Sequence, residues 1–231
     1  MIYLSPTRLQ RYYESGCPAK WNYEREWEPR EKNEFAERGT LVHRMLSGDI
    51  DLSIVEDPLA HNFYRKLKDA ELLMGFNAVE RELRQEFPLT DDVMWVRVID
   101  AKGFIGQTQY ILDYKTTGAV WKSLVEGITP QTLAMQSPGY LWSYEPDWPA
   151  EMLYLVAGFR GPAATFRYQL SEADRANFME AVTMCASALK AGYNPKIRGK
   201  GCLDCEMKDV CYDLPGWKKK YTKKKSGRSR T

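Results

Sequence analysis

Long apolar runs are missing from this 231-residue chain: no stretch reaches eighteen apolar residues, so no transmembrane helix is expected. The first residues, MIYLSPTRLQRYYESGCP, also lack the charged-then-apolar order of a secretory leader, and a cytoplasmic protein is the expectation. Cysteine is scarce and odd in number: Cys17, Cys185, Cys202, Cys205 and Cys211. An odd set in such a compartment argues against a disulfide framework, and the crowding of three thiols near the C-terminus argues for a metal. Internal repeats are absent. Acids are missing from Lys218 to Thr231, a segment with eight basic residues. The rest of the chain therefore holds 25 basic against 31 acidic residues, a balance of about −6 hidden by the overall +2. The tail has few apolar residues and is expected to be disordered. It reads either as a phosphate-binding arm adding salt-sensitive, sequence-independent affinity or as a solubilising terminus.

What is present centres on Val93–Thr116, which reads as two strands joined by a short glycine-containing turn. Strand side chains alternate faces, so Asp113 and Lys115 point the same way with Ile111, and Asp100 shares a face with Val96 and Val98. Before this hairpin, helices are predicted over 5–16 with Ser5-Pro6 as N-cap and N1, over 20–27, over 34–47 and over 57–75. Phe35, Leu41, Val42, Met45 and Leu46 mark the buried side of the third. Gly39 within it predicts a close backbone approach, since glycine costs roughly 1 kcal/mol against alanine there. His43 follows one turn later on the same face. Pro29 and the charged residues up to Glu34 read as a mobile connection. A strand over 79–87 carries Glu80, Glu82 and Glu86 on one face. After the hairpin come a helix over 129–143 interrupted by Pro138, strands over 152–159 and 165–170 (the latter an edge), and a helix from the Ser171/Asp174 capping pair to about Ala191. Residues 194–216 lack periodicity and need something other than a core to hold them. The pattern is that of a mixed α/β domain with a sheet covered by helices.

Two carboxylates and a lysine at the ends of neighbouring apolar strands are costly to desolvate together unless a cation sits among them. Asp100, Asp113 and Lys115 therefore suggest Mg²⁺ or Mn²⁺ chemistry, in which the ion polarises a phosphate and activates water while the ammonium orients that water or offsets developing charge. The same residues also read as a surface salt bridge, His43 as a hydrogen-bonded helix histidine, and Gln136 and Tyr140 as a capping residue and a core aromatic. Cys185 reads as a small core residue in the long helix, and His61 receives no role. Cys202-x2-Cys205-x5-Cys211 supplies three thiolates where a closed site needs four, with Cys17 or Cys185 as the fourth. Spacing alone leaves zinc and an iron–sulfur cluster both open.

Several fragments, in their order along the chain, resemble one family: SPTRLQRYYESGCPAKW, ERGTLVHRML, VIDAKG, ILDYKTT, QSPGY and CLDCEMKDVC. From about Ser5 to Cys211 the chain resembles the PD-(D/E)XK nuclease superfamily, in its RecB-type branch, and within that the iron–sulfur exonucleases of CRISPR adaptation and their phage relatives. The resemblance implies an α/β, restriction-endonuclease-like mixed sheet flanked by helices, with a cysteine-ligated iron–sulfur segment joining the N- and C-terminal regions. It implies that His43, Asp100, Asp113 and the Tyr114 carbonyl hold Mn²⁺ or Mg²⁺, that Lys115 positions the water, and that Gln136 and Tyr140 face the site and the nucleic acid. Glu82 or Glu80 lies near the ion, without a choice between them. Cys17, Cys202, Cys205 and Cys211 would carry a [4Fe–4S] cluster of structural role.

The implied organisation is an N-terminal helical segment (1–33), a nuclease core (34–193), a cysteine-rich segment (194–217) and the basic tail (218–231). The implied activity is metal-dependent hydrolysis of DNA, as an exonuclease on single-stranded ends or flaps, in recombination, repair or spacer acquisition, in a bacterial, archaeal or phage-infected cell. Recombination or CRISPR adaptation proteins are the implied partners. A catalytically silent DNA-holding subunit and a zinc-stapled nucleic-acid adaptor are the alternatives. Two positions depart from the family pattern: Arg97 stands where a glycine is common, and Pro138 falls inside the glutamine–tyrosine segment.

Overall fold

In a computed structural model of the chain, the described residues are 1–15, 27–29, 34–117, 135–142, 150–191, 205 and 207–223, without the side chains of 11–15, 27–29 and 217. Six strands form the main sheet: β1 (Ile2–Leu4), β3 (Asn77–Thr90), β4 (Val93–Ile105), β5 (Thr108–Thr116), β6 (Ala150–Ala157) and β7 (Ala164–Tyr168). β2 (Trp27–Pro29) pairs separately with β8 (Tyr221–Lys223). The helices are α1 (Pro6–Ser15), α2 (Glu34–Ser47), α3 (Pro58–Met74), α4 (Gln136–Leu141), α5 (Glu172–Lys190), α6 (Lys208–Cys211) and α7 (Trp217–Lys220). The sheet is mixed. β3, β4 and β5 form an antiparallel meander, β1 runs parallel to β4, and β6 runs parallel to β5.

β4 is the strand on which the others are arranged. β3 follows one of its edges almost throughout, so β1 and β5 must share the other. β1 takes Val93–Trp95 and β5 takes Ala101–Ile105, so among the described residues no strand pairs with Val96–Asp100 on that edge. Beyond the pair Ala101/Leu112, β5 turns away and continues against β6. The sheet thus splits beside Asp100 and Asp113. The hairpin turn is two residues long, with Gly106 at φ +60°, a conformation that glycine adopts without a Cβ clash.

Helices cover both faces. In α3 the buried Ala60, Phe63, Leu67 and Ala70 recur at three- and four-residue spacing, so one stripe packs with α2 on Ala101, Leu112, Tyr114, Leu153 and Leu155. Asp57 caps α3, its Oδ1 accepting from Leu59 N and Ala60 N at 2.9 and 3.1 Å; Gly75 ends it at φ +67°. On the other face, Leu9 and the α5 residues Phe178, Val182 and Cys185 pack against Leu4, Val93 and Trp95. The capping pair of Ser171 and Asp174 opens α5 as expected, and burial pushes the Cys185 thiol up to about 12. Among the described residues no helix is long and apolar enough to cross a membrane.

Several boundaries differ from expectation. β1 is too short to show periodicity, yet it carries the N-terminal segment into the core sheet. The strand predicted over 79–87 extends to Asn77–Thr90 because β4 offers a partner along its length. Pro29 belongs to β2, and Lys218–Lys223, predicted as disordered tail, forms α7 and β8, because the two short strands satisfy each other's backbone. Phe35 is half exposed, although its ring meets Phe159 edge-on at 5.8 Å. The helix predicted over 129–143 is α4 within the described residues, and Pro138 lies in its first turn, where a missing N–H costs no helical bond. The helix predicted over 20–27 lies outside them except for Trp27, which is in β2.

Candidate active site

Four elements deliver ionisable groups to the split in the sheet. Asp100 comes from β4, Asp113 and Lys115 from β5, His43 from α2, and Glu82 from β3. Asp100 spans the split: its Oδ2 accepts the Tyr114 main-chain N–H at 2.7 Å, and its Oδ1 lies 3.2 Å from His43 Nδ1. Burial alone would lower the His43 pKa, but the hydrogen bond and charge of Asp100, with Asp113 behind it, outweigh that and push it up to about 9. α2 approaches closely because Gly39 lacks a Cβ, which would stand 3.1 Å from Thr116 Oγ1. The close approach expected at Gly39 is therefore against β5.

Asp113 is almost fully buried. Lys115 Nζ forms an ion pair with its Oδ2 at 2.6 Å. Burial pushes the Asp113 carboxyl up, Lys115 opposes this, and Asp100 adds to it. An acid so placed is suited to a cation.

Glu82 rather than Glu80 faces this group. The pairs Arg81/Ala101 and Leu83/Ile99 bracket Glu82 and Asp100 across the ladder. Glu82 has φ +50°, in a region that costs a non-glycine residue of order 1–3 kcal/mol. One donor atom each from His43, Glu82 and Asp100 lie within 4.8 Å of one another. Adjacent ligands on an octahedral Mg²⁺ or Mn²⁺ are roughly 3 Å apart, so the three groups would draw closer together to share one ion. Partial burial and then the charge of Asp100 raise the Glu82 carboxyl, with His43 opposing and Asp49 adding. Glu80 instead lies 3.9 Å from Lys102 Nζ.

α4 packs beside the split, all six of its residues buried. Gln10 Oε1 accepts the N–H groups of Met135 and Gln136 at 2.7 and 3.0 Å. Trp95 Nε1 donates to Gly139 O at 3.0 Å, Arg97 donates to Tyr140 O, and Arg175 donates to Trp142 O at 2.8 Å. Both ends of a helix too short to hold itself are thus satisfied by side chains. Arg97 also donates twice to Gln85 Oε1, at 2.8 and 2.6 Å, which explains the charge in place of a glycine. Gln136 and Tyr140 lie one turn apart on α4. Burial raises the Tyr140 hydroxyl well above its usual range, Asp113 and Asp100 raise it further, and it stays a donor.

Sequence reasoning missed Tyr154, which is paired in register with Asp113 and whose hydroxyl meets Ser137 Oγ at 2.9 Å. It also missed Gln10, Glu71 and Arg81. Nothing local marks these residues; the parallel β5/β6 register and the docking of α3 are needed to place them. Of the cysteines expected to bind a cluster, Cys205 and Cys211 are partly exposed at the start and end of the α6 region, while Cys17 and Cys202 lie outside the described residues.

Residues 96–212, just over half of the chain, match the family described as the PD-(D/E)XK nuclease superfamily. None of the curated proteins matches the chain. Among solved structures, a protein described as an exonuclease from Eubacterium rectale is similar, with 14% identity, a TM-score of 0.53, and coverage of 92% of this chain and 88% of that one. An alkaline exonuclease from Laribacter hongkongensis is similar with 12% identity, a TM-score of 0.51, and coverage of 82% and 89%. At such identities the likeness is one of fold.

Proposed function

The chain belongs to the PD-(D/E)XK nuclease superfamily, and on that footing we propose that it is a Mg²⁺- or Mn²⁺-dependent deoxyribonuclease centred on Asp100, Asp113 and Lys115. The observation that carries this reading is the buried Asp113, with Lys115 Nζ 2.6 Å from its Oδ2, next to the group of His43, Glu82 and Asp100. His43, Asp100, Asp113 and the Tyr114 carbonyl hold the cation, and Glu82 joins them. The cation, when bound, polarises the scissile phosphate and lowers the pKa of a neighbouring water. Lys115 orients that water and offsets charge gathering on the phosphate oxygens. Water oxygen bonds to phosphorus as one P–O ester bond breaks, and a proton lost by the water ends on the departing oxygen, leaving a phosphate monoester and a hydroxyl end. Tyr140, kept protonated, and Gln136 present donors to the DNA strand.

The finer reading is an exonuclease of the RecB-type branch, acting on single-stranded ends or flaps in recombination or CRISPR-type spacer acquisition. Two fold neighbours described as exonucleases support end-directed cleavage. Cys17, Cys202, Cys205 and Cys211 hold a structural [4Fe–4S] cluster in the 194–217 segment. The pairing of β2 with β8 supports this staple, since it brings together the chain ten residues after Cys17 and ten after Cys211. The test is cleavage of end-labelled DNA with Mn²⁺ by Asp113→Ala and Lys115→Ala. Both are expected to lose activity, and undiminished cleavage by either sinks this site. Retention of DNA without cleavage by the wild type in several divalent metals would point instead to a DNA-holding subunit.

A further inference from the structure

Behind the active face, between α3 and the sheet, lies a second polar cluster that the proposed reaction does not use. Glu71 of α3 is 4% exposed, yet its carboxylate is fully engaged. Arg81 Nη2 donates to Oε1 and Oε2 at 2.9 and 3.0 Å, the Tyr114 hydroxyl donates to Oε1, and Lys68 Nζ donates to Oε2. Arg81 Nη1 also donates to the Tyr114 hydroxyl at 2.6 Å. The result is a closed triangle between α3, β3 and β5.

Those two strands are not neighbours. β4 lies between them, so Arg81 must reach over a gap of roughly two strand spacings, about 10 Å. The residue it crosses is Ala101, in register with both Arg81 and Leu112 and fully buried. A larger side chain at that point would stand in its path.

The backbone positions the triangle holds are those that aim the site. Tyr114 sits between Asp113 and Lys115, and strand alternation sends their side chains to the opposite face. Its N–H is the donor that fixes Asp100. Arg81 immediately precedes Glu82, the residue with φ +50°. We propose that Glu71, Arg81 and Tyr114 are positioning residues that hold β3 and β5 at the spacing at which Glu82 and Asp100 meet His43 around one cation, with Asp113 beside them. This rests on the reading of those acids as the cation site. A buried carboxylate–guanidinium pair by itself is weak evidence for stability, because desolvation offsets most of the Coulomb gain. Pairing it to a tyrosine whose main chain contacts Asp100 gives it a further role.

The test is Mn²⁺ binding to the full-length protein, followed by electron paramagnetic resonance below the unfolding temperature of every variant. Tyr114→Phe removes one hydroxyl and leaves the main chain intact. Glu71→Gln removes the charge at nearly constant shape. Each is expected to weaken Mn²⁺ binding about 10- to 100-fold, the range for partners that orient metal ligands, while cleavage recovers at saturating Mn²⁺. Arg81→Lys, which keeps the charge but cannot reach both partners at once, is expected to behave like Glu71→Gln. Leu67→Ala, in the same helix and core but outside the triangle, is expected to lower stability and leave Mn²⁺ affinity unchanged. If Tyr114→Phe and Glu71→Gln bind Mn²⁺ as the wild type does while Asp113→Ala does not, the positioning role is wrong and the cation site stands. If Asp113→Ala also binds as the wild type does, the reading of the site itself fails.

Discussion

The main-chain N–H of Tyr114 donates to Asp100 Oδ2 at 2.7 Å across the point where β4 and β5 stop pairing. One carboxylate thus replaces a missing ladder bond and keeps its other oxygen beside His43. The two roles can be separated. Asparagine at 100 still offers an oxygen to the Tyr114 N–H but carries no charge for a cation. Asp100→Asn is therefore expected to lower Mn²⁺-dependent cleavage by at least about 100-fold, more than the loss of a partner behind a ligand. Its melting temperature should stay close to the wild-type value, because repulsion with Asp113 and Glu82 is relieved as the contact with His43 weakens. Asp100→Ala should lose both, and a thermal melt beside the cleavage assay would show the difference.

Gly139 gives a prediction about the second side of the site. A Cβ there would stand 2.7 Å from Trp95 Cζ2 and 3.3 Å from both Phe178 Cε2 and Pro6 Cβ. Trp95 is fully buried and its indole N–H is committed to Gly139 O, so it cannot yield. Gly139→Ala should cost about 1–3 kcal/mol by overpacking, measured by urea denaturation. The folded fraction should also cleave more slowly, because α4 must shift and Gln136 and Tyr140 ride on it.

What could be read from the residues alone follows from the range of the interactions involved. Asp113 and Lys115 were legible because alternation along a single strand places them together. His43 read from the residues alone as a hydrogen-bonded helix histidine, and only the family resemblance pointed it at the acids. Glu80 and Glu82 could not be told apart, since alternation puts both on one face and only the left-handed backbone at Glu82, opposite Asp100, separates them. Tyr154 was illegible because its place beside Asp113 depends on a parallel register between strands far apart in the chain. Nothing in the sequence marks Glu71, because its partners come from β3 and β5. The fold class followed from the order of periodic segments. The split in the sheet did not, because β1 has only three residues and no pattern of its own.

Arg97 had no evident purpose in the sequence, where a glycine is common in the family it resembles. In the fold it is 3% exposed, ties Gln85 to the Tyr140 carbonyl of α4, and lies over the Phe87 ring at 5.4 Å. Arg97→Met keeps the apolar stem and strands the Gln85 amide and the Tyr140 carbonyl. A loss of about 2–3 kcal/mol is expected from the charged hydrogen bonds, read as a lower urea midpoint at constant slope. Arg97→Gly restores the family residue but adds a cavity, and should be less stable than Arg97→Met. A glycine variant as stable as the wild type would show that the arginine contributes nothing to holding α4.

The proposed cluster makes a prediction that needs no activity assay. Among the described residues, the segment around Cys205 and Cys211 buries a small apolar group, Met207, Val210 and Tyr221, and a core that small cannot hold a chain end by itself. β2 and β8 pair over just three residues each, also too little for independent stability. Four thiolates on one inorganic centre would close the N-terminal segment onto the C-terminal one. Protein purified without oxygen should contain about four irons and four sulfides per chain, with broad absorption near about 400 nm. Cys17→Ala should lose the iron and the soluble yield together, since the centre and the closure are the same bond set. One zinc per chain with no sulfide would keep the staple and overturn the cluster. Full solubility of Cys17→Ala with its metal retained would overturn both.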